Sequence, residues 1–112
     1  MKVELKVLEE FKKNAKRLSK KYRTLSQEIG LLGELIKQNP KIGTQLGGSL
    51  YKIRLASNSK NGGKSGGFRI ITYMIEQTSN ATTVYLVTIY DKSEESSIAK
   101  KTLLNLVKDT EI

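Results

Sequence analysis

Lys52, Arg54, Lys60, Lys64 and Arg69 fall within residues 50–69, LYKIRLASNSKNGGKSGGFR, a stretch that contains no acid. Side chains alternate across a strand, so LYKIRL as a strand projects Lys52 and Arg54 from one face and Tyr51, Ile53 and Leu55 from the other. One face can pack while the other stays basic. A hairpin into FRIITYMI returns Arg69 beside them and makes fixed positive charge on a sheet, suited to a polyanion such as RNA. Further on, in TVYLVTIYDK, Tyr90 and Lys92 share strand parity with Val84, Leu86 and Thr88. With that register aligned to Lys52, Arg54 and Arg69, one surface gathers a phenol, two lysines and two guanidiniums.

Such a set can cleave RNA without histidine or a metal. Attack by the RNA's own 2′-hydroxyl needs a base for that proton, cations for the charge developing on the phosphate, and an acid for the departing 5′-oxygen. Clustered cations depress the pKa of a lysine or a tyrosine, so Lys52 or Tyr90 is expected to move protons. Arg54, Arg69 and Lys92 are then the phosphate ligands. Lys60 and Lys64 in the glycine-rich connection, and Lys16 and Lys20 earlier in the chain, are expected to hold further phosphates. Tyr90 also fits an amphipathic residue at a sheet edge, and the connection fits a flexible loop with solubilising lysines. Gly63-Lys64-Ser65 is not a nucleotide-binding loop: Asn58 stands where the motif needs its first glycine, and a strand rather than a helix follows.

The 112 residues match one domain with one core, and no internal repeat or linker interrupts them. The absence of cysteine and histidine removes disulfides, thiolate catalysis and the commonest general base and metal ligand, so neither a cofactor nor a metal is expected. No apolar run has the length of a signal peptide or a membrane span, and a cytoplasmic protein is expected. The formal net charge is +9. Lys12, Lys13, Lys16, Arg17, Lys20, Lys21 and Arg23 form an acid-free block of their own, which an exposed helix face would equally explain.

The elements that position these groups are legible from period and punctuation. KVELKV alternates as a half-buried strand. Leu8, Phe11, Ala15, Leu18 and Tyr22 follow helical steps, with Glu9 and Glu10 in the first turn and Lys20 and Lys21 in the last. Thr24-Leu25-Ser26-Gln27 matches a capping box, and Leu25, Ile29, Leu32 and Ile36, widened by Leu31 and Leu35, continue a second helix to Asn39-Pro40. Gly30 and Gly33 there mark either close packing on the first helix or simple tolerance. Residues 41–49 read as a loop, 50–55, 68–76 and 83–91 as strands, and Ser79-Asn80 as a turn. Ser93 is expected to cap a last helix, with Glu94 and Glu95 in its first turn and Ile98, Leu103, Leu106 and Val107 inward. The order β-α-α-β-β-β-α predicts an α+β domain in which a twisted, mainly antiparallel sheet packs against an N-terminal helical hairpin.

FKKNAKRLSKKY, the Asn39-Pro40 helix end, LYKIRLA, GGKSGGFRIITY and TIYDKSE, in that order, resemble the RelE/ParE superfamily of bacterial type II toxins, closest to its RelE/HigB-like branch. The resemblance spans nearly the whole chain. It implies a small α+β toxin that cuts mRNA in the ribosomal A site and is neutralised by a cognate antitoxin. It carries Lys52 and Arg54, Arg69, and Tyr90 with Lys92 over as site residues, with Lys64 as an addition. Some members use a C-terminal histidine that this chain lacks. On the same fold the resemblance also allows a ParE-like inhibitor of DNA gyrase without nuclease activity, and the charges alone allow a module that grips RNA or ribosomes without cutting.

Overall fold

Strand β1 (Lys2–Val7) opens the chain, and helices α1 (Glu9–Lys21) and α2 (Leu25–Gln38) follow it. Strands β2 (Thr44–Gly47), β3 (Leu50–Leu55), β4 (Phe68–Thr78) and β5 (Ala81–Asp91) come next, and α3 (Lys100–Asp109) closes the order. The structure is a computed structural model and describes residues 2–60 and 67–110. The strands form a five-stranded sheet in the order β1-β5-β4-β3-β2. Only β1 lies parallel to its neighbour, pairing with β5 from Lys2 opposite Ala81 to Val7 opposite Leu86. The α+β class and the mainly antiparallel sheet are as the periodicity predicts.

Three elements depart from expectation. The segment read as a loop, KIGTQLGGS, contains β2, which pairs with β3 through Thr44 opposite Lys52 and Gln45 opposite Tyr51. Thr24 does not close a capping box: its Oγ1 lies 2.6 Å from Ser59 Oγ, so the hydroxyl serves a tertiary contact. Ser93 does not cap α3, whose first residue is Lys100 after Ala99. Instead its backbone N–H and hydroxyl donate to Asp91 Oδ1 at 2.9 and 2.7 Å, holding a turn directly after β5.

Apolar side chains on both faces of β4 and β5 produce two packed layers. On one face Phe11 and Leu18 of α1 and Leu25, Leu32 and Ile36 of α2 cover Tyr51, Ile53, Phe68, Ile70, Met74, Val84, Leu86 and Ile89. On the other, Leu103 and Val107 of α3 meet Leu50, Ile71, Val87 and Tyr90, with Leu8. The second layer was not foreseen as helix-covered. Gly33 is buried where α2 crosses β1, and a Cβ there would lie 3.3 Å from Leu5 Cδ2, whereas one on Gly30 would meet nothing. Close packing at Gly33 is therefore against β1 rather than α1.

Candidate functional site: a cationic row across three strands

Register builds the site. Arg54 on β3 is paired with Arg69 on β4, and Arg69 is paired with Tyr90 on β5, so the three stand in one straight row across the sheet. Side chains directly opposite have Cβ atoms about 4.5–5.5 Å apart and share a face. Lys52, opposite Ile71, lies two residues along β3 on that same face. The register thus sets two guanidinium-bearing residues directly opposite each other on one face.

Tyr90 reaches this face because of a β-bulge. Ile71 pairs with Thr88 but Thr72 pairs with Leu86, which leaves Val87 as the extra residue on β5. An inserted residue shifts strand parity by one. Val84 and Leu86 accordingly pack under α1 and α2, while Tyr90 packs on the α3 side with Val87. The expectation that Tyr90 shares a face with Val84, Leu86 and Thr88 is thus corrected. Thr88 also points toward α1, where its Oγ1 accepts from Asn14 Nδ2 at 3.1 Å.

The row grades from exposed to buried. Arg54 is exposed and Lys52 half-buried, whereas Arg69 is 4% and Tyr90 5% exposed. Arg69 Nη1 donates to the Phe68 carbonyl at 3.2 Å, which holds the guanidinium against the backbone. Burial pushes the Tyr90 phenol above its ordinary value of 10; the positive charge of Arg69 opposes that shift and the negative charge of Glu95 adds to it. The expected depression by neighbouring cations is therefore reversed for Tyr90. A phenol that keeps its proton can donate it but cannot serve as a base near neutrality.

The remaining candidates separate from the row. Lys92 lies just past β5; its backbone N–H donates to the Gly67 carbonyl at 3.1 Å and its Nζ to the Ser96 carbonyl at 3.2 Å. Lys60 is not available to a phosphate, because its ammonium forms a buried ion pair with Asp91. That pair sits beside Tyr22 and Phe68, in the layer under α1 and α2. Lys16 and Lys20 are exposed on α1, across the sheet from the row, and line a shallow cavity of about 460 Å³ between α1 and α2. Lys64 lies outside the described residues.

Two features escaped the sequence reading. Asp91 was not singled out, although it anchors the end of β5. A groove of about 670 Å³ beside β3 is lined by Leu31, Leu32, Leu35, Ile42, Leu55 and Arg54 among others, with Lys52 also on its wall. Leu31 and Leu35 there are 62% and 50% exposed. The available signal was the width of the apolar stripe on α2, broader than one buried face requires. Among the described residues no group of acidic side chains could hold a metal ion, and no helix is long and apolar enough to cross a membrane.

No family model matches the chain. Among solved structures it is similar to a mutant of the E. coli toxin RelE in the free state, with 18% identity over 86% of this chain and 90% of that one, at a TM-score of 0.57. What this likeness establishes is the architecture: the chain has a RelE-like fold.

Proposed function

We propose that this chain is the toxin of a type II toxin–antitoxin system, a ribosome-dependent endoribonuclease of the RelE/HigB-like branch, with the whole chain acting as one toxin domain. The observation that supports this most is the Arg54–Arg69–Tyr90 row with Lys52 beside it. The row combines phosphate-binding forks with a protonated phenol, which a surface for binding alone does not need.

In this reading Arg54 and Arg69 hold the scissile phosphate and the charge that develops on it, and Lys92 adds a cation from the end of β5. Lys52 is the group that takes the proton of the 2′-hydroxyl, whose oxygen attacks phosphorus. The bond from phosphorus to the 5′-oxygen breaks, and Tyr90 supplies that oxygen with a proton. The products are a 2′,3′-cyclic phosphate and a 5′-hydroxyl end. Messenger RNA in the ribosomal A site is the substrate.

The restraining partner is a cognate antitoxin. A groove walled by exposed leucines and flanked by Lys52 and Arg54 suits an acidic, amphipathic segment that folds on binding and covers the row. The gyrase-inhibitor reading remains the alternative, since fold alone does not select a chemistry. The two separate in one experiment: purified protein is added to a translating system with mapped mRNA ends and, in parallel, to gyrase with relaxed plasmid. Cut mRNA and unaffected supercoiling are expected. Blocked supercoiling beside intact mRNA would replace this reading with the alternative.

A further inference from the structure

Tyr90 carries a proton in the reaction proposed above, yet among the described residues no side chain forms a hydrogen bond with its hydroxyl. Its ring is held by apolar packing, so the phenol can be placed only as accurately as the end of β5 that carries it. That end is fixed from the opposite face of the sheet. Asp91, the next residue, is 1% exposed and its carboxylate is fully used. Oδ1 takes the Lys60 ammonium and the Ser93 N–H and hydroxyl, while Oδ2 accepts from the Tyr22 hydroxyl at 3.0 Å. The Asp91 carbonyl accepts from the backbone N–H groups of Glu94 and Glu95, both at 3.0 Å, so the following turn hangs from the same residue.

The other side of the pair is equally braced. Lys60 closes a turn whose Ser59 hydroxyl accepts from the Thr24 N–H at 2.8 Å and whose Asn58 N–H donates to Glu28 Oε2 at 2.8 Å. The ammonium lies 5.4 Å from the Tyr22 ring centroid and 5.0 Å from that of Phe68, the cross-strand partner of Asp91. The α1–α2 junction, the turn after β3 and the tip of β5 thus meet at one buried charge pair, one residue from Tyr90.

We propose that Asp91 is a positioning residue for Tyr90: through the buried pair with Lys60 it sets the phenol against Arg69 from the reverse face of the sheet. The proposal rests on the nuclease reading for its consequence but not for its geometry. Asp91→Asn keeps the size of the side chain and removes the charge opposite Lys60. In full-length protein carrying ¹³C-labelled tyrosine, with Tyr90→Phe assigning the signal, the Tyr90 ring resonances and alkaline titration midpoint should move in Asp91→Asn. Those of Tyr73 and Tyr85 should stay. On ribosome-bound mRNA, kcat should fall by about tenfold with KM within about twofold. In a Tyr90→Phe background, Asp91→Asn should add less than about twofold, because a residue that acts through Tyr90 has nothing further to lose.

Unchanged Tyr90 signals in folded Asp91→Asn, or a full additional loss in the Tyr90→Phe background, would overturn the proposal. If Asp91→Asn does not fold, Ser93→Ala removes one donor and keeps the ion pair. It should shift Tyr90 in a graded way, and no shift would overturn the proposal as well. Wild-type protein that cuts no RNA would remove the nuclease reading, while the tyrosine spectra would still decide whether Asp91 positions Tyr90.

Discussion

In the proposed reaction Tyr90 and Arg54 do opposite things with the same phosphate. Arg54 is exposed and offers a planar fork, whereas Tyr90 is buried, which holds its proton more tightly than on an ordinary phenol. Arg54→Lys keeps the charge but loses one charge-assisted hydrogen bond, about 1.5–3 kcal/mol, so cleavage should drop by about tenfold or more while RNA binding changes little. Single-turnover rates beside filter binding would show whether both move together, which would make Arg54 a binding residue only. Tyr90→Phe should slow cleavage by about 10²–10⁴-fold, the range for a general acid. It should also remove from a spectrophotometric titration one tyrosine whose ionisation is shifted upward by burial. A phenol that titrates below the ordinary tyrosine value and disappears in Tyr90→Phe would contradict the upward shift by burial.

At the scale of elements, the decisive contacts join the tips of strands. Asp91 has its carboxyl raised by burial, but hydrogen bonds from Lys60, Ser93 and Tyr22 outweigh this and bring it from 3.8 to about 2. A carboxylate with a depressed folded pKa stabilises above its unfolded value and loses that contribution as pH falls through the folded one. About 2 kcal/mol should therefore be present above pH ~4 and vanish as pH falls to ~2. Urea midpoints across that window should change less in Asp91→Asn than in wild type. An equal change would place the acid sensitivity elsewhere. Gly67→Ala should also destabilise the protein severely, because the added Cβ would collide with the Leu55 carbonyl oxygen at the start of β4. These tips also divide what the sequence told from what it hid. Alternation in LYKIRL placed Lys52 and Arg54 on one face, because period and burial there agree. The bulge at Val87 was invisible because nothing local marks it: neither a glycine nor a proline interrupts residues 84–90, and only cross-strand register reveals the extra residue. Thr24 carried genuine capping chemistry, but its hydroxyl found a tertiary partner, Ser59, that local spacing cannot show, while Ser93 turned back on Asp91 two residues earlier instead of capping a helix. Lys60 was read as a free cation for want of any sign that Asp91, 31 residues away, would bury against it.

For the whole molecule, a net charge of +9 draws polyanions and acidic partners alike, and salt separates the two contributions to partner binding. If rim charges dominate, a complex with the proposed antitoxin should form fastest at low salt, with association slowing as salt rises. Replacing Leu31 and Leu35 with serine should weaken that complex with little effect on folding, because both side chains are largely exposed in the free protein. Affinity unchanged by the double substitution would move the partner away from the groove. The central claim is that the row is a nuclease site, and the chemistry of the cut ends tests it most directly. Ribosome-bound mRNA treated with wild-type protein should yield fragments ending in a 2′,3′-cyclic phosphate and beginning with a 5′-hydroxyl, and Tyr90→Phe should yield the same ends far more slowly. Intact mRNA with the wild-type protein, or ends formed equally fast by Tyr90→Phe, would contradict it.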